Sequence, residues 1–242
     1  MWRQDPADGT MSAMPTRTTL AAAAAYVVLA TTDTVLAGAS SPAARRARYL
    51  TKPLLMPTLA VSFRAGTRGR TDLLARGTGA AQLFSWAGDV ALLARGERAF
   101  LAGVGSFLVA HVAYVAGFVS ARESRDGLDV RGARTAGALW LTAGPVMAWA
   151  AGRRSPELAG PVAAYAGVLA TMFGTSTTLD PHLPGRARAL VRAGTTLFLV
   201  SDTLLGVQDF LLSQEAGALE RAVMATYTAG QGLIACGVAQ AR

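Results

Sequence analysis

The sequence has very few of the residues from which metal centres and disulfide-stabilised folds are built. Of its 242 residues, one is cysteine, one is lysine and two are histidine. The single cysteine, Cys236, excludes an intrachain disulfide and any multi-cysteine metal site. Two histidines are too few for a three-histidine zinc site. The chain also contains no Gly-x-Ser-x-Gly motif and no phosphate-binding glycine loop, so neither a serine hydrolase nor a nucleotide-binding protein is indicated.

Charge is scarce as well. Charged residues make up 16% of the chain and hydrophobic residues 52%, whereas a soluble domain carries roughly 25% charge. Apolar runs spread over most of the length therefore predict a polytopic membrane protein. The net charge of +8 would suggest nucleic acid binding in a soluble protein. Here the arginines fall between the apolar runs and form no basic stripe with interleaved aromatics, so we expect no nucleic acid partner.

The apolar runs predict an all-α fold with eight transmembrane helices around a polar intramembrane cavity. We expect one transmembrane domain over residues 18–240, preceded by a polar, disordered cytoplasmic segment at 1–17. Thr18–Ala39 resembles a cleaved signal peptide, but Asp33 interrupts its apolar core, so a retained helix is favoured. The predicted spans are 18–38, 51–64, 74–94, 99–120, 134–151, 157–177, 189–212 and 218–239.

The second span is expected to be short and to begin at Thr51 after a loop over 39–50. Threonine is a good helix cap, and Pro53 would then lie in the first turn, where a missing N–H is tolerated. Lys52 would lie at the membrane border. In a chain whose other basic residues are all arginine, this lysine needs a separate explanation.

The distribution of arginine predicts the orientation. With eight spans, the side that holds both termini carries 14 arginines in or beside its loops, and the opposite side carries 8. The positive-inside rule then places both termini in the cytoplasm. Since the composition is rich in alanine and arginine, we expect a bacterial cell membrane. In this topology Asp33, Asp89 and Asp202 all lie in the outer half of their helices.

Asp89 and Asp202 are the strongest functional candidates. Each follows a small residue inside an apolar run, and an ionisable side chain in the membrane interior is a functional-site hypothesis by default. Two carboxylates in different environments can divide the work of general acid and general base. The alternative is that they hydrogen-bond across helices and only hold them together. For Asp33 the two interpretations are evenly balanced, because threonines surround it.

Other polar side chains are expected at similar or slightly greater depth. Tyr227 lies about 14 Å into the last span, and His111 and Tyr114 lie one turn apart on the fourth. A lone histidine is more often a hydrogen-bonded core residue than a ligand. The short segments around Asp89 and Asp202 are similar in sequence and lie four spans apart. A duplication of four helices would produce this similarity, although such short segments also recur by chance.

At this point the chain resembles the YhhN family of integral membrane proteins, which includes the lysoplasmalogenases. The resemblance runs in order over residues 18 to 239. The segments that carry it are Thr51-Lys52-Pro53-Leu54-Leu55-Met56-Pro57, Phe84-Ser85-x-x-Gly88-Asp89, Phe107-x-x-x-His111-x-x-Tyr114, Leu197-Phe198-x-x-Ser201-Asp202-x-x-Leu205 and Tyr227-x-x-x-Gln231.

The resemblance implies a membrane hydrolase that needs no cofactor. It would cleave the vinyl-ether bond of a lysoplasmalogen, a lysophospholipid, to a fatty aldehyde and a glycerophospho-base. Asp89 and Asp202 would be catalytic, with Lys52 facing the substrate phosphate and no metal bound. The remaining substrate-binding candidates are His111, Tyr114, Tyr227, Gln231 and Asp33.

Two other functions stay open on sequence grounds. A small lipid transporter or a lipid-binding protein also uses intramembrane carboxylates and lysines. Against transport, the chain has no convincing inverted repeat and no helix broken at its middle by a Gly-Pro pair. A hydrolase that cuts a different lipid bond is the other alternative. Membrane lipids are expected partners, and the sequence does not set the oligomeric state.

Overall fold

The structure is a computed structural model, and it describes residues 16–94, 96–123, 129–212 and 217–242. In this part of the chain the ordered secondary structure is helical, which confirms the predicted all-α class. Eight α-helices occur, together with one short 3-10 helix at Pro156–Leu158. The α-helices are α1 Arg17–Ala37, α2 Pro42–Gly66, α3 Leu73–Ala91, α4 Glu97–Ser120, α5 Val130–Arg154, α6 Ala159–Ser176, α7 Gly185–Leu211 and α8 Gly217–Gln240.

Consecutive helices pack as four pairs, and the pairs close into a bundle. α1 packs on α2, α3 on α4, α5 on α6 and α7 on α8. Further contacts of α2 with α3, α4 with α6, α6 with α7 and α1 with α8 complete a circuit. α5 lies beside this circuit against α6 and α7, whereas α8 also contacts α2 and α3. The two halves of the chain are therefore joined by α8 and by the packing of α4 on α6.

The bundle is apolar on the outside and polar in the middle. Val27, Val28 and Val35 of α1 are more than half exposed, whereas Asp33 on the same helix is fully buried. The other helices follow this pattern, with exposed Leu83 and Val112 opposite buried Asp89 and His111. An exposed apolar surface of this extent suits lipid rather than water.

Five helices are long and apolar enough to cross a membrane: α1, α4 from Arg98, α6 with its preceding 3-10 turn, α7 and α8. α2, α3 and α5 do not reach this level in the described residues. Several apolar spans agree with an integral membrane protein, while the count of eight spans stays a prediction. α2 and α3 are also the helices that contribute Lys52 and Asp89 to the interior, so part of their polarity is directed inward.

The predicted start of the second span at Thr51 is wrong. α2 begins at Pro42, where the Ser41 hydroxyl accepts the Ala44 backbone N–H at 3.2 Å and proline occupies the first turn. The arginines and alanines that follow favour helix although they are not apolar. Thr51 therefore does not cap a helix; its hydroxyl donates to Asp33 Oδ1 at 2.6 Å.

Pro53 consequently lies inside α2, not in its first turn, and Pro57 lies one turn later. Because Pro57 has no N–H, the carbonyl of Pro53 lacks its helical donor. The indole N–H of Trp86 on α3 donates to that carbonyl at 3.1 Å. The proline pair thus creates an acceptor that ties α2 to α3.

The other predicted helix boundaries agree with the structure within about four residues. The largest differences are at the starts of α5 and α7, which begin earlier than predicted, at Val130 and Gly185. Residues 1–15 of the predicted disordered segment at 1–17 lie outside the described part of the chain. Its last two residues are ordered: Thr16 accepts the Thr19 N–H at 3.2 Å as the cap of α1, and Arg17 begins the helix.

The hypothesis of a four-helix duplication gains support from burial. Asp89 and Asp202 are 113 positions apart, and every buried residue of α3 moved by 113 positions falls on a buried or half-buried residue of α7. The buried residues of α2 from Lys52 onward behave in the same way. When they are moved by 113 positions, each falls on a buried or half-buried residue of α6. Two helices of one half therefore present the same faces to the core as their counterparts in the other half.

Candidate active site

The first carboxylate, Asp89, is buried between three helices. It lies near the end of α3 and is 1% exposed. The Tyr227 hydroxyl of α8 donates to its Oδ2 at 2.8 Å. Lys52 Nζ of α2 lies 3.6 Å from its Oδ1, and Lys52 is itself buried. A cation and a hydroxyl donor thus stabilise a negative charge on Asp89. Lys52 thus forms an ion pair with Asp89, and its predicted role toward a substrate phosphate stays a prediction.

The second carboxylate, Asp202, has a matching set of partners with different chemistry. The Tyr165 hydroxyl of α6 donates to its Oδ2 at 2.6 Å. His111 Nε2 of α4 lies 3.6 Å from the same oxygen. His111 is 1% exposed, and its Nδ1 lies 2.6 Å from the Phe107 carbonyl of its own helix. Each carboxylate therefore receives one tyrosine hydroxyl and faces one nitrogen base.

Phe198 joins the two clusters. It lies one turn before Asp202 on α7, is fully buried, and meets both His111 and Tyr227 edge-on. Its ring centroid is 4.8 Å from that of His111 and 5.5 Å from that of Tyr227. Those two rings, each beside one carboxylate, are thus no more than 4.8 + 5.5 = 10.3 Å apart. Phe107 also packs edge-on against Tyr227, at 5.8 Å.

Tyr114 and Gln231 are brought together, but they contact each other rather than a carboxylate. The Tyr114 hydroxyl donates to Gln231 Oε1 at 2.6 Å, and Gln231 Nε2 donates to Ser85 Oγ at 2.9 Å. All three side chains are buried. Ser85 lies one turn before Asp89 on α3, and Gln231 one turn after Tyr227 on α8. This hydrogen-bonded chain fixes the helices that hold Asp89 and Tyr227.

Asp33 belongs to a separate arrangement. Besides Thr51, its carboxylate faces Arg48, whose Nε lies 3.5 Å from Oδ1. Arg48 Nη1 in turn lies 3.8 Å from Glu220 Oε2 on α8. These contacts join α1, α2 and α8, and within the described residues they include no other predicted site residue. Asp33 therefore has the surroundings of a residue that holds helices together.

Tyr165 is a site residue that sequence reasoning missed. A tyrosine in an apolar helix carries no signal of its own, because it also fits a membrane core. One signal was available: Tyr165 precedes Asp202 by 37 residues, the spacing by which Lys52 precedes Asp89. Under a four-helix duplication, Tyr165 therefore holds the position of Lys52.

Gln82 was missed as well. It lies two turns before Asp89 on the same face of α3 and is 1% exposed. Neither its Nε2 nor its Oε1 has a hydrogen-bond partner among the described residues. Buried amides are nearly always paired, so this one is exceptional. His111 Nε2 is another buried atom that has no hydrogen-bond partner in the part of the chain that the structure describes.

Comparison with known proteins identifies the family. The profile of the YhhN family matches residues 47–238, most of the 242-residue chain. The chain belongs to the YhhN family. No curated protein and no solved structure matches the chain.

For this YhhN protein, the site combines the buried Asp89 with the half-buried Asp202, and among the described residues no strongly basic side chain lies beside Asp202. In the described part of the chain, no group of three His, Cys, Asp or Glu side chains comes together as metal ligands would. Within an apolar bundle, such carboxylates can hold a proton, accept a proton from water and stabilise a cation.

Proposed function

We propose that this YhhN protein is a membrane hydrolase of the lysoplasmalogenase type. The family includes lysoplasmalogenases, whose substrate is a lysophospholipid with a vinyl-ether chain. The observation that carries the proposal is the pair of carboxylates inside the bundle. Each has its own tyrosine hydroxyl and its own nitrogen-bearing side chain, and Phe198 packs between the two clusters.

Vinyl-ether hydrolysis needs these groups and little else. A carboxylic acid gives a proton to the outer alkene carbon, which leaves an oxocarbenium ion on the ether side. A carboxylate close by stabilises that cation and takes a proton from the water that adds to it. The resulting hemiacetal returns its hydroxyl proton to the site while the glycerol oxygen leaves as an alcohol, so the products are a fatty aldehyde and a glycerophospho-base.

The apolar surroundings favour this reaction. Phe107, Phe198 and Met56 are buried near the polar groups and offer a dry environment for an aliphatic chain. In such surroundings a fixed carboxylate stabilises a developing cation more strongly than water does. The substrate is accordingly proposed to lie with its tail among the helices and its vinyl ether between the carboxylates.

For localisation, we propose a multi-pass protein of a bacterial cell membrane with both termini in the cytoplasm. The proposal rests on the excess of arginine on the side of the termini. Asp89 and Asp202 then lie toward the outer face, where a lysolipid of the outer leaflet would reach them.

The test is aldehyde release in detergent. Purified protein is incubated with lysoplasmenyl-ethanolamine, beside Asp89→Asn, Asp202→Asn and the control Asp180→Asn in the α6–α7 loop. We expect aldehyde from wild type and from the control, and a loss of roughly 10²-fold or more from either site variant. A folded wild-type protein that releases no aldehyde would overturn the proposal and favour lipid transport or another lipid bond. Transport would then be measured in sealed vesicles.

A further inference from the structure

The hydrogen-bonding geometry of His111 constrains where protons lie in the second cluster. A ring nitrogen 2.6 Å from a carbonyl oxygen must carry a hydrogen, so Nδ1 donates to Phe107. In the neutral ring, Nε2 is then an acceptor. It faces Asp202 Oδ2 at 3.6 Å, and a carboxylate oxygen is also an acceptor. Two facing acceptors repel each other in a buried site unless a proton lies between them.

The partners of Asp202 place no other positive charge there. Tyr165 donates a neutral hydroxyl, and His111 is the sole ionic partner of Asp202 among the described residues. An unpaired buried carboxylate is very costly in an apolar bundle. A single proton on the pair, carried by either His111 Nε2 or Asp202 Oδ2, removes both problems at once, because it leaves the pair with no net charge.

The first cluster has the opposite arrangement. Lys52 supplies a full positive charge 3.6 Å from Asp89 Oδ1, and Tyr227 donates to the other oxygen. Both contacts favour the ionised carboxylate. Asp89 is thus equipped to stay negative, while Asp202 is equipped to hold a proton that can be given away.

We propose that Asp202, paired with His111, is the general acid of this site, and that Asp89, paired with Lys52, is the ionised base. The assignment rests on the proposed function. Asp202 gives its proton to the outer alkene carbon, and Asp89 stabilises the oxocarbenium ion and takes one proton from the attacking water. As the hemiacetal collapses, its hydroxyl proton returns to Asp202 and Asp89 passes its proton to the departing glycerol oxygen. Both groups end as they began.

Tyr165 and His111 are positioning residues in this scheme, because they act through Asp202. Tyr165 holds Oδ2 from α6, and His111 faces the same oxygen from α4. Together they fix the acid between two helices that belong to different halves of the chain.

The origin of the transferred proton can be measured directly. Hydrolysis is run in a 1:1 mixture of H₂O and D₂O, and the aldehyde is reduced at once to the alcohol so that its α-hydrogens do not exchange. Mass spectrometry then gives the ratio of H to D at the former alkene carbon. This ratio depends on the group that donates the proton.

We expect Asp89→Asn to release aldehyde slowly with the wild-type ratio, because Asp202 still donates. Asp202→Asn should release it slowly with a changed ratio, because water replaces the carboxyl group. If Asp202→Asn releases too little aldehyde, Asp202→Cys is measured in its place. A changed ratio is again expected, because a thiol replaces the carboxyl group as the donor. Tyr165→Phe should lower kcat roughly tenfold with KM within about twofold of wild type.

The outcomes separate the two proposals. Wild-type protein that releases no aldehyde overturns the proposed function. Active wild-type protein whose ratio stays unchanged in the Asp202 variants overturns the assignment and leaves the function standing. A Tyr165→Phe variant with raised KM and unchanged kcat would show that Tyr165 binds substrate instead of positioning the acid.

Discussion

At the scale of single residues, Lys52 is predicted to determine whether Asp89 can remain ionised and buried. Lys52→Met should abolish hydrolysis and destabilise the protein by about 3–5 kcal/mol, because it leaves an uncompensated buried carboxylate. Lys52→Arg keeps the positive charge and should therefore retain part of the hydrolytic activity and part of the stability. The free energy of unfolding is measured by denaturant titration in mixed micelles, beside aldehyde release.

The matched control is the double variant Lys52→Met with Asp89→Asn. Since it removes both charges, it should recover most of the stability lost in Lys52→Met while remaining inactive. Stability losses that simply add in the double variant would show that the 3.6 Å contact is not an energetic coupling.

Gln82 gives a second prediction, which concerns stability. Its amide is buried without a described partner, so Gln82→Leu should raise the free energy of unfolding by about 1 kcal/mol. The neighbouring Ser85→Ala, which removes a hydroxyl that does accept a hydrogen bond, should lower it instead. A loss of stability in Gln82→Leu, seen in the same titration, would show that the amide is hydrogen-bonded in the folded protein.

How far the site could be predicted depends on the residue type. Asp89, Asp202 and Lys52 are conspicuous in the sequence because charge is rare in an apolar run. Their partners are not, since the pairing of Asp89 with Tyr227 and of Asp202 with Tyr165 depends on how each helix is rotated. Hydropathy and spacing give depth in the membrane but not rotation. Asp33 is an example. It was predicted at the same depth as Asp89, but in the described part of the chain its carboxylate contacts Arg48 and Thr51 and neither of the two carboxylate clusters.

At the scale of elements, α2 shows what hydropathy does not detect. Residues 42–50 are helical although they contain three arginines, because their backbone is capped by Ser41 and their side chains are good helix formers. A search for apolar runs therefore began the helix nine residues late. The same segment carries Arg48, which pairs with Asp33 and Glu220. Because these first turns of α2 were not predicted, part of the packing between α1, α2 and α8 was not predicted either.

The contact between α3 and α4 gives a paired prediction. An added Cβ at Gly77 would lie 2.7 Å from the Ala113 carbonyl, whereas one at Gly79 would meet nothing within 4 Å. Gly77→Ala should therefore cost about 1–3 kcal/mol of stability. Gly79→Ala should be neutral or should stabilise the helix by about 0.5–1 kcal/mol. Thermal unfolding in detergent checks both, and equal effects would contradict the close packing of these helices.

Asp72 caps α3 and gives a prediction about pH. Its carboxylate accepts the Ala75 N–H at 3.0 Å and pairs with Arg70 through two hydrogen bonds, and the Arg70 side chain lowers its pKa to about 2. A lowered pKa means that the contribution to stability is complete above the unfolded value and is lost as pH falls toward 2. Asp72→Ala should cost about 1 kcal/mol at pH 7.

The cost of Asp72→Ala should therefore shrink when the thermal unfolding of both proteins is compared at pH 7 and near pH 3. The difference between the two proteins, and not the melting temperature of either one, is the quantity to follow, because other carboxylates titrate in the same range. A difference that stays constant with pH would mean that the charge of Asp72 is not what stabilises the start of α3.

At the scale of the whole molecule, the two halves of the chain place equivalent helices around the two carboxylates. Asp89 of α3 meets α2 and α8, and Asp202 of α7 meets α6 and α4. Each carboxylate therefore contacts the preceding helix and the last helix of the opposite half. If the halves share an origin, Lys52 and Tyr165 are where they diverged, and the divergence gives one carboxylate a cation and the other a neutral hydroxyl.

The proposed orientation has a direct test. A reporter that is active only outside the cytoplasm is fused after Arg242, and a matched reporter that is active only inside is fused at the same place. We expect the inside reporter to be active, because the arginines concentrate on the side of the termini. Activity of the outside reporter would reverse the topology and place Asp89 and Asp202 toward the cytoplasmic face.

The central claim is that two carboxylates inside the helix bundle cleave a vinyl ether. The most direct measurement offers the purified protein three lysolipids that share a head group and chain length: a vinyl ether, a saturated alkyl ether and an acyl ester. Released aldehyde and fatty acid are followed together. We predict aldehyde from the vinyl ether alone and no product from the other two, because only the alkene can be protonated to an oxocarbenium ion. Fatty acid released from the ester, with no aldehyde from the vinyl ether, would contradict the account.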